Sequence, residues 1–239
     1  MSDEQIDLSG KIALITGASR GIGRAIAKAY AKAGAHVIAT ARTTAALEEL
    51  DDEIRAEGGQ ATLIPQDLRA FDKLDMLGPA IAEKFGKLDI FVGNAGLLGT
   101  LGPLPHADAK EFDKVMEVNL TANFRLLRTL DPLLRASDHG RVILVSSSES
   151  VVHGRAYWSA YSVSIAAFET IIRTYAAETE QTNLRINAVN PGSVRTKMRA
   201  EAMPGEDPET LPAPEEIVDV FMKLAANDCE YHGQVINAQ

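Results

Sequence analysis

The chain has little that would staple, tether or bind it to a polyanion. Its 239 residues include one cysteine, Cys229, so no internal disulfide can form and a reducing, cytoplasmic setting is the simplest expectation. No apolar run approaches the ~20 residues that a bilayer-spanning helix needs. The opening residues, MSDEQIDLSGK, are acidic and polar and lack an apolar signal core. Basic residues are outnumbered, 24 Lys and Arg against 33 Asp and Glu, and a net charge of −9 argues against a nucleic-acid backbone as partner. Net charge does not exclude a local basic pocket for one nucleotide. The five histidines, His36, His106, His139, His153 and His232, show no metal-ligand spacing, so no metal site is expected.

What remains is an ordinary globular composition, 46% hydrophobic and 24% charged. The length suits one domain, 1–239, able to bury a core unaided. Apolar, β-rich runs predict strands over 11–16, 36–40, 61–65, 88–92, 141–145, 184–189 and 233–236. Between them, helical patterns cover 22–33, 44–57, 71–85, 111–134, 159–181 and 214–226. Such alternation implies parallel pairing with right-handed crossovers. The strands are continuously apolar, as in a sheet covered on both faces. The fold class is therefore α/β, a doubly wound parallel sheet. Residues 193–212 are rich in Pro, Gly, Met and charge, and are expected to form an irregular, mobile lid over a site.

The stretch Thr16–Gly23, TGASRGIG, follows a predicted strand and opens a predicted helix. Gly17, Gly21 and Gly23 allow a tight turn, close approach to a pyrophosphate, and packing of helix on strand. Ser19, Arg20 and Ile22 complete this turn, and the helix start aims free N–H groups at the phosphate. An acid ending the second strand would bind the ribose diol of NAD. Here that strand ends Ala39–Thr40–Ala41–Arg42, with no acid. Arg42, with Arg20, can instead pair with a 2′-phosphate, so NADP is favoured over NAD.

Together with this turn, Asn94–Ala95–Gly96 after the fourth strand, a tyrosine near 160 and Asn190–Pro191–Gly192 after the sixth make the chain resemble the short-chain dehydrogenase/reductases. The resemblance covers essentially the whole chain. It implies a Rossmann-like seven-stranded parallel sheet, hydride transfer to or from NAD(P), and a homodimer or homotetramer. It further implies that Asp67 and Leu68 meet the adenine and that Asn94, Ala95 and Gly96 wall the adenine-ribose pocket. Asn119 resembles the helix asparagine that organises a proton-relay water, which is favoured over the alternative of a buried asparagine bonding a backbone group without catalysis. Pro191 and Gly192 match the nicotinamide-side turn, and Val194 and Thr196 the contacts to its carboxamide. The family writes two asparagines before Ala-Gly; here the first is Gly93, which should loosen the turn.

Carbonyl reduction needs a hydride donor, a hydrogen-bond donor to the oxygen, and a proton. Tyr161 can supply the proton and a serine can polarise the oxygen. The family spacing selects Ser148, with Ser147 as a live alternative in the same Ser146–Ser148 run. Tyr157, four residues before Tyr161, would share its helical face if the helix begins that early, and line a substrate cleft with Trp158. The family places a lysine at position 165, and Ile165 stands there instead. No tyrosine of the chain has a lysine four residues on. That lysine lowers the phenol pKa and binds the nicotinamide ribose. Its loss favours reduction, which uses neutral tyrosine, over oxidation, which needs tyrosinate. Arg155 and Arg195 are candidates to lend a charge. Two functional readings follow: an NADP-dependent reductase of carbonyl compounds, slowed or biased by Ile165, or a nucleotide-binding sensor or scaffold without turnover.

Overall fold

Each strand of the sequence pattern is present in the computed structural model, which describes residues 6–147 and 154–239. The strands are β1 Ile12–Thr16, β2 His36–Ala41, β3 Gln60–Pro65, β4 Ile90–Gly93, β5 Arg141–Val145, β6 Arg185–Asn190 and β7 Val235–Asn237. They form one sheet in the order β3-β2-β1-β4-β5-β6-β7, every pair parallel. The helices are α1 Gly21–Lys32, α2 Thr44–Ala56, α3 Phe71–Asp75, α4 Leu77–Phe85, α5 Ala109–Met116, α6 Ala122–Arg135, α7 Ser159–Glu178, α8 Lys197–Ala202 and α9 Val218–Ala225. This is the single α/β domain with helices on both faces that the alternation predicts.

Strand β1 shows why the apolar runs do not alternate with polar residues. Ala13 and Ile15 join a core with Ile26 and Tyr30 of α1 and Phe221 of α9. Leu14, between them, joins a second core on the opposite face with Ile81, Leu126, Leu130 and Phe168. Successive side chains leave a strand on opposite faces, and here both faces are covered. Polar groups pin this frame. The Tyr30 hydroxyl donates to the Phe221 carbonyl at 2.9 Å. Fully buried Asp89 accepts from the Ile12 backbone at 2.9 Å and from the Ser137 hydroxyl.

Several helices differ from the pattern, each for a local reason. The helix expected over 71–85 breaks at Met76 into α3 and α4. Pro79 has no N–H to offer the carbonyl four residues back. That carbonyl, of Asp75, accepts from Thr129 Oγ1 at 2.8 Å instead. The helix expected over 111–134 is interrupted by a wide π turn at Glu117–Thr121, where the Ala122 N–H reaches back to the Glu117 carbonyl. The last helix starts as a 3₁₀ turn, Pro214–Ile217. The 193–212 segment is largely irregular, as expected, but carries one short helix, α8, and a 3₁₀ turn at Pro208–Thr210. Thr196 caps α8 by accepting from the Arg199 N–H at 3.2 Å. Arg199 also forks onto Glu206 at 2.6 and 2.7 Å, and Arg195 pairs with Glu209 at 2.7 Å. No helix among the described residues is long and apolar enough to cross a membrane.

Candidate active site

Strand order reverses between β1 and β4, so their chains diverge to opposite faces and leave a crevice at the carboxyl ends. Thr16, wholly buried at the end of β1, closes its floor. Its hydroxyl accepts from the Asn94 and Ala95 N–H groups, each at 3.0 Å. Asn94 answers by donating Nδ2 to the Thr16 carbonyl at 2.9 Å. Gly17 turns here with φ +67°, and a Cβ on Gly23 would sit 2.5 Å from the Gly17 carbonyl oxygen. Both positions therefore need glycine. Gly93 does not loosen this turn as expected; a Cβ there would lie 2.5 Å from Leu144 and 2.9 Å from Asn123 Oδ1. Glycine at 93 makes room for those two side chains.

Above this floor lies a cleft of about 690 Å³. At one end it is lined by Gly17, Ser19, Arg20, Gly21, Ile22, Arg42, Asp67, Leu68 and Asn94–Gly96. At the other end are Asn119, Ser147, Trp158, Tyr161, Ile165, Pro191, Gly192, Val194 and Thr196. Gly23 lies beneath the floor, and Ser148 lies outside the described residues. Helix α1 begins at the cleft with no side-chain cap and no acid in its first turn. Thr40 Oγ1, beside it, is buried without a hydrogen-bond partner. Among the described lining residues Arg20, Arg42 and Asp67 are charged at the dinucleotide end, while Arg195, Lys197 and Arg199 also border the cleft but are paired with Glu209, Glu201 and Glu206. Arg20 and Arg42 thus give this end of the cleft two cations in a chain whose net charge is −9.

Tyr161 sits in the first turn of α7, and its phenol is hydrogen-bonded to the Ser147 side chain. Burial holds its pKa above the ordinary tyrosine value, and the Ser147 bond draws it partly back. Ile165, one turn on and 6% exposed, borders the same cleft. Trp158 meets Tyr161 edge-on at 5.6 Å between ring centroids, and the Arg155 guanidinium lies 4.6 Å over the indole. Arg155 and Arg195 are therefore engaged with Trp158 and Glu209. Tyr157 is not on the α7 face. The helix starts two residues later, and Tyr157 is 64% exposed with φ +73°. The Asn119 side chain accepts from the Leu97 N–H at 2.8 Å and donates to the Leu97 carbonyl and Ser164 Oγ, each at 2.9 Å. Its amide is thus committed to the scaffold, and its own carbonyl accepts from Asn123 Nδ2 at 2.9 Å.

A family model described as short chain dehydrogenase matches residues 11–207. The chain belongs to the short-chain dehydrogenases. It is 39% identical over 224 residues to the oxidoreductase YciK of Escherichia coli K12, covering 92% of this chain and 88% of that protein. A short chain dehydrogenase structure from Pseudomonas syringae superposes with a TM-score of 0.95 at 40% identity, over 100% of this chain and 98% of that one. One from Shigella flexneri 2a, complexed with NADP, gives 0.94 at 37% identity, covering 99% and 100%. As a short-chain dehydrogenase the chain is an NAD(P)-dependent oxidoreductase. Two further residues line the cleft of this short-chain dehydrogenase: Thr40, near the end of β2, and Asn123, four residues after Asn119, a helical spacing that marks it.

Proposed function

We propose that this chain is an NADP-dependent reductase of carbonyl compounds, with Tyr161 as proton donor. The reading is carried by the Tyr161–Ser147 hydrogen bond at one end of a cleft whose other end holds Arg20 and Arg42. The cleft suits the cofactor. Uncapped N–H groups of α1 and the glycine floor would donate to phosphate oxygens, and the orphaned Thr40 hydroxyl wants a polar partner. Arg42 and Arg20 would hold the 2′-phosphate through charge-assisted bonds. Asp67 and Leu68 would border the adenine, Asn94–Gly96 its ribose, and Pro191, Gly192, Val194 and Thr196 the nicotinamide. When bound, the nicotinamide supplies the hydride.

The chain's own residues would do the rest. Ser147 or Ser148 donates to the substrate oxygen as negative charge develops there. Tyr161, neutral across the physiological range, gives its proton to that oxygen and regains one from solvent. Ile165 occupies the family's lysine position and offers neither charge nor donor. The phenol thus stays protonated and weakly acidic, which permits reduction at a modest rate and starves oxidation of its base. The 193–212 segment, clasped by Arg199 and Glu206, would form the lid over the substrate.

The loss of the lysine also favours a second reading, a binding protein without turnover. Purified protein titrated with NADPH and NADH, then assayed with a panel of aldehydes and ketones, separates the two. The reductase reading expects tighter binding of NADPH, loss of that preference in Arg42→Ala, and turnover abolished in Tyr161→Phe. Binding without turnover in both the parent and Ile165→Lys establishes the silent reading. No heat with either dinucleotide overturns both.

A further inference from the structure

Two elements meet at the reactive phenol: the exit of β5, carrying Ser147, and the start of α7, carrying Tyr161. A second contact joins the same two elements deeper in the fold. Ser146 continues the β5–β6 ladder, its N–H donating to the Val189 carbonyl at 2.8 Å. Its hydroxyl points away from bulk solvent and makes a short hydrogen bond to Glu169 Oε1. Glu169 lies eight residues after Tyr161 on α7, about 12 Å along the helix, and is 3% exposed. Its other oxygen accepts from Arg173 Nη2 at 2.7 Å, and that guanidinium reaches the surface.

A carboxylate in such a place is costly for mere filling, because desolvating a charge outweighs what an apolar residue of similar size would gain. What the charge adds is direction. A charge-assisted bond to a hydroxyl is short and geometrically strict. Ser146 and Ser147 are consecutive, so anchoring one fixes the backbone that presents the other. Helix α7 is rigid between Glu169 and Tyr161. Sliding or rotating it against the strand exit would break both contacts together.

We propose that Glu169 is a positioning residue: by holding Ser146, it sets the register in which Ser147 meets the Tyr161 phenol. This rests on the reading of Tyr161 as proton donor, but its test does not need turnover. Protein labelled with ¹³Cζ-tyrosine, with the Tyr161 signal assigned through Tyr161→Phe, is titrated by NMR for the parent, Glu169→Gln, Glu169→Leu and Ser146→Ala. In Glu169→Leu and Ser146→Ala the Tyr161 signal moves and titrates at higher pH, since the Ser147 bond no longer favours the phenolate. Glu169→Gln, which retains an acceptor for Ser146, falls between. NADPH affinity stays that of the parent while kcat drops on the order of tenfold to a hundredfold, the scale of a misplaced reacting group. An unchanged Tyr161 signal and titration in folded Glu169→Leu or Ser146→Ala overturns the proposal. If Glu169→Leu does not fold, Ser146→Ala alone decides. Absence of turnover in the parent refutes the reductase reading and leaves the NMR comparison to judge Glu169.

Discussion

In the proposed reductase, Ile165 is the residue on which the chemistry would turn. Its neighbour one turn earlier, Tyr161, has a phenol held above the ordinary range by burial. Placing an ammonium there should reverse that. Ile165→Lys is expected to lower the Tyr161 pKa by about 1–3 units. The ascending, acid-side limb of the alcohol-oxidation pH profile, which the general base sets, then moves to lower pH by the same amount, and oxidation near neutrality gains more than reduction. An unmoved limb would mean that the new side chain points elsewhere. Tyr161 and Ile165 were legible through the family resemblance, which sets the tyrosine and the lysine position four residues apart on one helical face. The sequence did not reveal that the Asn119 amide is spent on Leu97 and Ser164, or that Leu144 and Asn123 crowd Gly93. Those partners come from segments distant in the chain.

At the scale of elements, Thr16 joins β1 to the β4 exit through its hydroxyl. Thr16→Val keeps the shape and strands the two part-buried N–H groups of Asn94 and Ala95. A loss of about 1–3 kcal/mol per unsatisfied group follows, read as a lower urea midpoint with an unchanged m value. NADPH affinity should weaken with it, since Asn94 and Ala95 form the cleft wall. The strands were legible at this scale because each is a bounded run of β-branched and apolar residues. Helix interruptions were less so. The π turn at Glu117–Thr121 lies in a stretch whose apolar spacing remains helical, and only the Ala122-to-Glu117 bond reveals the extra residue. Helix α8 was missed because six residues with one Thr cap carry too little periodicity.

For the whole molecule, alkaline conditions should be a weakness. Tyr30, Tyr161 and Tyr175 all have pKa values raised above the usual tyrosine value, burial being the largest cause in each. The unfolded chain releases these protons near pH 10, whereas the native state keeps them. Their contribution is full below pH 10 and declines as pH rises toward the native values. For fully buried Tyr30 the decline is about 1.4 kcal/mol per pH unit. Urea midpoints measured from pH 9 to 11 should fall accordingly, and Tyr30→Phe should fall less steeply. Arg20 and Arg42 at the cleft have a different consequence, since the molecule as a whole carries −9. An approaching dinucleotide feels repulsion first and attraction only within the last few ångströms. The Debye length shrinks from about 30 Å at 0.01 M salt to about 10 Å at 0.1 M, so modest salt removes the far repulsion before it touches the near attraction. Stopped-flow association of NADPH should therefore speed up as ionic strength first rises, and slow only when screening reaches into the mouth itself.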